Sequence, residues 1–364
     1  MKKLRFGIAA AIAALVTFQP ASASTLLLGG YPDKLMVFDE GTGTVTQRIP
    51  LKTGLPTNIR MSQDKKYVYV TTNTNSGIEV LDVATRKIVN SFTLNTPYTR
   101  YRFYGGVADP KGRYFYTFGQ KFDKKIDRYE VEDPQFLVID LKQHKVVRTA
   151  DIDKKDEELE NRWRIGYMMS PDGKSVYLLT DKVRILDTAS LKIVDRLDFG
   201  TAPGTGIGNV DLGGQVDRLQ ETGQYVSLFT SEDPHIHNKI FGIAHFTLDT
   251  HKFDFTPVGP APEEMEGLEV TPDGKDAYTV VVNGELGSKR CEFWHFDVAT
   301  NAVLNKKEFQ CRSRFYFSMS VDGTKLYIYG AGYEIEVYDA KTLEYEHTWN
   351  LGQDTTMAGI VALD

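Results

Sequence analysis

SPDGKSVYLLT, residues 170–180, reads as a tight turn followed by an alternating apolar strand, and the chain repeats this phrase along its length. Close copies are SQDKKYVYVTT (62–72), DPKGRYFYTF (109–118), TPDGKDAYTVVV (271–282) and SVDGTKLYIYG (320–330), with ETGQYVSLF (221–229) as a degenerate one. Each sets Asp-Gly or its equivalent against a run rich in Tyr, Val and Ile, the pattern of a β-hairpin. A second phrase, apolar-x-apolar-x-Asp then x-x-Thr, starts its turn at Asp39, Asp82, Asp140, Asp187, Thr247, Asp297 and Asp339. Asp and Thr recur in such turns because their side chains bond the nearby backbone. Two hairpins per period make a four-stranded unit of about 45 residues, the size of a propeller blade. The starts of the second phrase predict seven blades.

The ends of the chain fit that count. Only two strands, Thr25–Gly30 and Lys34–Asp39, fit before the first turn, and TMAGIVAL (356–363) remains after the last full repeat. The spare strand is expected to pair Val361 beside Leu27 and complete the first blade, which removes exposed sheet edges. The predicted fold is therefore all-β, a seven-bladed β-propeller closed by its C-terminal strand, with residues 24–364 as one domain.

Residues 1–23 read differently. MKKLR supplies positive charge, Phe6 to Phe18 is apolar, and Ala21-Ser22-Ala23 is a small-x-small site. This is a secretory signal with cleavage between Ala23 and Ser24, which predicts a periplasmic protein. The apolar run is too short to span a bilayer, and no later run is long enough. Without Lys2, Lys3 and Arg5 the formal charge moves from −6 to −9. An acidic chain argues against nucleic acid as a partner.

The repeated turns are short, whereas the connections on the opposite face are long and irregular, so function is expected there. Residues ahead of each inner strand should ring the channel mouth: Arg102 and Tyr104, Trp163 and Arg164, Glu266, Arg314 and Tyr316. Arg60 and Glu269 hold equivalent inner-strand positions and are expected to face the channel. Arg and aromatic side chains of this kind suit an anion or a partner protein. The plainer reading is mutual ion pairing and aromatic core. His235 and His237 have metal-ligand chemistry, but no third ligand is fixed by spacing. GTAPGTGIGNVDLGG (200–214) lacks a following helix and any Gly-Lys-Ser/Thr, so it reads as a flexible lid. DKKDEELENRWR (153–164) reads as a short helical insert and Asp156–Glu160 as a solvated face. Covalent-haem, His-Glu-x-x-His and Gly-x-Ser-x-Gly motifs are absent from the sequence, and no catalytic residue or cofactor of its own is expected.

Cys291 and Cys311 are the two cysteines of the chain. Pairing Phe293 with Phe309 across the sixth-repeat hairpin sets them opposite each other, within disulfide reach. An oxidising compartment favours the bond.

YVYVTT (67–72), with the Pro-Asp-Gly-Lys and Asp-x-x-Thr repeats, resembles the YVTN class of seven-bladed propellers. PDKLMVFDEGTGTV (32–45), DRYEVEDPQFLVIDL (127–141) and EIEVYDAKTLE (334–344) followed by LGQDTTMAGIVAL resemble the β subunit of quinohemoprotein amine dehydrogenase, a relative of the methylamine dehydrogenase heavy chain. The resemblance covers most of the chain after residue 23 and is weakest in the fourth and fifth repeats. It implies a propeller without its own cofactor that holds a dihaem cytochrome and a small quinone-bearing subunit. Two other readings stand beside it: a stand-alone periplasmic binding or scaffold propeller, and a lactonase-like hydrolase using Glu266, Glu269 or the two histidines.

Overall fold

The structure is a computed structural model and describes residues 24–161, 165–180, 182–197, 210–212, 224–233, 235–247, 250 and 252–363. The leader, Trp163, Arg164 and most of the glycine-rich stretch 200–214 lie outside them. The chain folds into a seven-bladed β-propeller.

Blade 1 contains β1 (Thr25–Gly30), β2 (Lys34–Asp39) and β3 (Thr44–Pro50). Blade 2 follows as β4 (Pro56–Met61), β5 (Tyr67–Thr72), β6 (Gly77–Asp82) and β7 (Lys87–Thr93). Blade 3 is β8 (Thr99–Phe103), β9 (Val107–Ala108), β10 (Tyr114–Lys124), β11 (Tyr129–Val131), β12 (Gln135–Asp140) and β13 (Lys145–Asp151). Blade 4 is β14 (Gly166–Met169), β15 (Ser175–Leu179), β16 (Val183–Asp187) and β17 (Ile193–Leu197). Blade 5 is β18 (Val210–Leu212), β19 (Gln224–Glu232), β20 (Lys239–Thr247) and β21 (Lys252–Pro260). Blade 6 is β22 (Glu264–Val270), β23 (Asp276–Asn283), β24 (Arg290–Asp297) and β25 (Ala302–Phe309). Blade 7 is β26 (Tyr316–Met319), β27 (Lys325–Tyr329), β28 (Glu334–Asp339) and β29 (Tyr345–Asn350). The last strand, β30 (Thr355–Ala362), returns to blade 1 with Val361 opposite Leu27, the expected closure.

Local chemistry explains the repeat. Ser170 Oγ accepts from the Ser175 amide at 2.9 Å and donates to Asp172 Oδ1 at 2.7 Å, while the Gly173 amide reaches the Ser170 carbonyl. The turn is thus a four-residue loop, Pro171–Lys174, closed by the Ser170–Ser175 and Gly173–Ser170 backbone bonds, not the two-residue Asp-Gly form. Its closing residue sits in the left-handed region, at φ 73° for Gly173 and 57° for Lys65. In the second phrase Asp39 Oδ1 accepts from the Thr42 amide at 2.7 Å and hydroxyl at 2.9 Å, and Asp82, Asp297 and Asp339 do the same with Thr85, Thr300 and Thr342. The side chain therefore holds the backbone three residues ahead.

The core lies between blades. Leu27, Val37, Val68 and Leu81 form one apolar cluster of blades 1 and 2, and Phe38, Tyr327, Val337 and Ile360 form another across the closing seam. Each remaining neighbour pair shares a cluster of the same kind. A strand residue here packs against the next blade rather than into one central core.

One position in the third strand of a blade ties down the incoming crossover. Three residues before the turn Asp, Glu79 accepts from the Thr53 amide at 2.7 Å, and Glu336 faces Arg312 at 3.8 Å. The equivalent Arg184 is fully buried and donates to Asp156 at 2.9 Å, to Thr180 Oγ1 at 2.6 Å and to Glu158. Arg196 joins the same Asp156 carboxylate. This corrects the reading of Asp156–Glu160 as a solvated face: Asp156 is 0% exposed, because two guanidiniums need its charge inside. Burial alone would raise its pKa, but the hydrogen bonds from Arg196 and Arg184 and their charges outweigh burial and lower it. The expected insert is present as 3-10 turns over Lys154–Asn161, broken at Asp156.

Two further readings change. Two of the long connections expected to be irregular, residues 95–104 and 120–135, are instead partly strand, because β10 runs on to Lys124 and pairs there with β8 and β11, widening blade 3 to six strands. The Cys291–Cys311 disulfide is present, with Cα atoms 5.1 Å apart. Its predicted register was two residues off: Phe293 faces Lys307 and Cys291 faces Phe309. Cys311 lies just past the end of β25 and reaches back to Cys291.

Candidate functional site

The turns joining first to second and third to fourth strands occupy one face; the crossovers and second-to-third connections occupy the other. Through the middle runs a channel of ≈ 1540 Å³ lined by inner strands of several blades. Arg60 on β4 and Glu269 on β22 line it as expected, Glu269 almost buried. Tyr104, Arg314 and Tyr316 also line it, and Tyr316 meets the Tyr329 ring edge-on at 6.1 Å. Arg102 stands on β8, where its guanidinium donates to Tyr104 Oη from Nη2 at 3.1 Å and lies 5.4 Å from that ring's centre. It thus orients a channel-mouth ring without being among the channel-lining residues. Trp163 and Arg164 lie outside the described residues.

Glu266 opens a smaller recess of ≈ 390 Å³ beside the channel, shared with Glu264, Lys289, Arg314, Met265 and Tyr316. Cations and carboxylates together make this recess suited to groups carrying both charges. His235 and His237 sit exposed at the tip of the β19–β20 hairpin, where Asp233 Oδ1 accepts from the His235 amide at 2.7 Å. His237 Nδ1 lies 2.7 Å from Glu232 Oε1. Among the described residues, no three His, Cys, Asp or Glu side chains converge as a metal site. The hairpin-tip histidines and the channel-wall Glu269 occupy different environments.

Sequence reasoning missed two features. Met61, Met168, Met169, Met265, Met319 and Met357 all line the channel, out of eight methionines in the chain. Their flexible thioethers fill an irregular tapering wall; a Met at the last inner-strand position before the turn was a usable signal. Beside them Tyr167 is buried, its hydroxyl accepting from the Phe118 amide at 3.2 Å, and burial pushes its pKa up to about 12. The second feature is a surface asymmetry. Exposed large apolar side chains include Tyr31, Tyr98, Ile126, Tyr129, Val131, Ile236 and Tyr333, all on the long-connection face. The others, Val89, Val194, Leu304 and Tyr345, are on outermost strands, and among the described residues none is on the short-turn face.

No protein-family model and no curated protein sequence matches the chain. Solved structures do. Hydrazine synthase of Kuenenia stuttgartiensis is similar at 14% identity and TM-score 0.51, over 84% of this chain and 92% of that one. The dihydro-heme d1 dehydrogenase NirN, in complex with DHE, is similar at 14% identity and TM-score 0.50, over 97% and 78%. A functionally unknown protein from Desulfotomaculum acetoxidans gives 14% identity and TM-score 0.54, over 94% and 99%. The kinship is one of fold.

Proposed function

We propose that this chain is a non-catalytic propeller subunit of an exported, quinohemoprotein amine dehydrogenase-like complex, and that its long-connection face holds the cytochrome and quinone-bearing subunits. The observation that carries the reading is the asymmetry of the two faces. Tyr98, Ile126, Tyr129 and Val131 project from the widened third blade, with Arg102–Tyr104 and Arg314 inward of them. Aromatic and Arg residues over an apolar patch are the composition of interface hot spots. The segments resembling the amine dehydrogenase β subunit support a cytochrome and a quinone-bearing subunit as the kind of partner. A fold also found in a hydrazine synthase and a dihydro-heme d1 dehydrogenase is compatible with redox partners.

The test is affinity purification of the tagged, exported protein from its own host's periplasm. The expected result is co-elution of a haem-bearing polypeptide, with amine-dependent reduction of an electron acceptor by the complex and none by this chain alone. Ile126→Asp with Arg314→Ala should weaken the complex by a few kcal/mol, on the order of 2–4. Elution as a lone polypeptide, or amine oxidation by the isolated chain, refutes the reading.

A further inference from the structure

Ser24, the residue after the expected cleavage site, is pinned where blade 1 meets blade 7. Its backbone nitrogen donates to Glu40 Oε2 at 3.2 Å, its carbonyl accepts from the Glu40 amide at 3.1 Å, and only 9% of it is exposed. The other Glu40 oxygen accepts from Tyr327 Oη on β27. Asp322 is a further acid acting on this carboxylate. Burial raises its pKa first; the bonds from Tyr327 and Ser24 oppose that, and the charge of Asp322 adds to it. The Tyr327 hydroxyl is raised as well, by burial and by Glu40. Among the described residues, no Lys, Arg or His side chain forms an ion pair with Glu40 within 4.0 Å. The adjacent base, Arg86, is directed to Thr25 Oγ1 at 3.4 Å. Glu40 is part-buried and its oxygens meet a neutral amide and a hydroxyl, and a carboxylate drawn out of water is costly until a cation answers it.

We infer that this cation is the chain's own N-terminus. Hydrolysis of the Ala23–Ser24 amide consumes one water, leaves a carboxylate on Ala23 and an amine on Ser24, and that amine takes a proton near neutral pH. A neutral amide with one donor becomes an ammonium with three, already 3.2 Å from Glu40 Oε2. The bond becomes charge-assisted and about twice as strong. Leader removal thus installs an ion pair across the ring's closing seam, with Tyr327 as its second clamp. The inference does not depend on what the long-connection face binds.

The sign of the pH dependence follows from the amine. An unperturbed α-amine titrates at about 7.7–8.0. Pairing raises that value in the folded state, so the stabilisation is complete below this range and is lost as pH rises through the raised value. Glu40 faces the amine, Tyr327 and Asp322 act on Glu40, and Arg86 is held by the neighbouring Thr25.

Three forms of the otherwise intact chain test this: one beginning at Ser24, the same form N-acetylated, and one retaining Ser22-Ala23 ahead of Ser24. Near pH 7 the free-amine form should melt about 1–2 °C above the other two. That advantage should vanish in Glu40→Gln and shrink above about pH 9. Should Glu40→Gln fail to fold, titration of the wild-type α-amine by pH-dependent acylation still decides: a value above about 8 is expected. N-terminal sequencing of the exported protein should begin at Ser24. An ordinary α-amine titration in the folded protein, or a mature chain starting elsewhere, overturns the inference.

Discussion

Replacing Asp156 by Ala removes an acid shared by two guanidiniums. Arg184 is 0% exposed and cannot swing into water, whereas Arg196, with 28% of its side chain exposed, can. Arg184 keeps Thr180 and Glu158, so it would be left partly rather than wholly unpaired. Breaking a buried pair costs about 3–5 kcal/mol, and the remaining Glu158 contact places this one near the lower end. At roughly 1–2 °C per kcal/mol for a domain of this length, the melting temperature should fall by about 3–6 °C. Asp156→Asn keeps an acceptor and should lose about half as much. Arg184→Met with Asp156→Leu removes both charges from the buried pair and should lie closer to wild type than Asp156→Ala. The folded pKa of Asp156 is lowered, so its stabilisation is present above about pH 4 and lost as pH falls through the lowered value. Urea unfolding followed by circular dichroism at pH 7 and pH 3 reads both effects. A loss below about 1 kcal/mol at pH 7, the size of an exposed pair, would refute the reasoning.

Deleting residues 355–364 strips β30 from β1 and should lower the melting temperature sharply; an unchanged midpoint would contradict the closure. Reducing Cys291–Cys311, which closes a loop with sequence separation 20, should cost about 3 kcal/mol on the chain-entropy account, and denaturant midpoints with and without reductant measure it. Gly106→Ala should be poorly tolerated, because φ is +144° and a Cβ would lie 2.6 Å from the Tyr116 carbonyl oxygen; soluble yield and midpoint report it. Leu27→Ala at the closing sheet, where Leu27 is fully buried, should cost about 2–5 kcal/mol in the same assay.

The blade count was legible because each blade restates two turns whose side chains hold their own backbone, and local bonds leave local signatures. Closure was legible because an alternating strand was left over at the C-terminus. Asp156 was not, since a charged run on a surface helix and a charged run folded under two arginines are written alike. The cysteine pair came out right from a register shifted by two: Cys291 faces Phe309, and Cys311 reaches it from just past the end of the strand. At the channel, Arg60 and Glu269 followed from the repeat alignment, while the apolar fringe of blade 3 did not. Its residues become neighbours only when β10 overruns its turn.

Seven similar sheets in one chain carry a hazard that a mixed fold does not, since a crossover can settle on the wrong blade and find much the same groove. The position three residues ahead of the turn Asp makes such errors unequal. It is acidic in blade 2, basic in blade 4 and acidic again in blade 7, as Glu79, Arg184 and Glu336. Were the Asp156 crossover to settle on blade 2, its carboxylate would meet that of Glu79; were the Arg312 crossover to settle on blade 4, two guanidiniums would collide. At these three blades the signs act as addresses, since a crossover settled on the wrong one of them sets like charges against each other or leaves a charge unanswered.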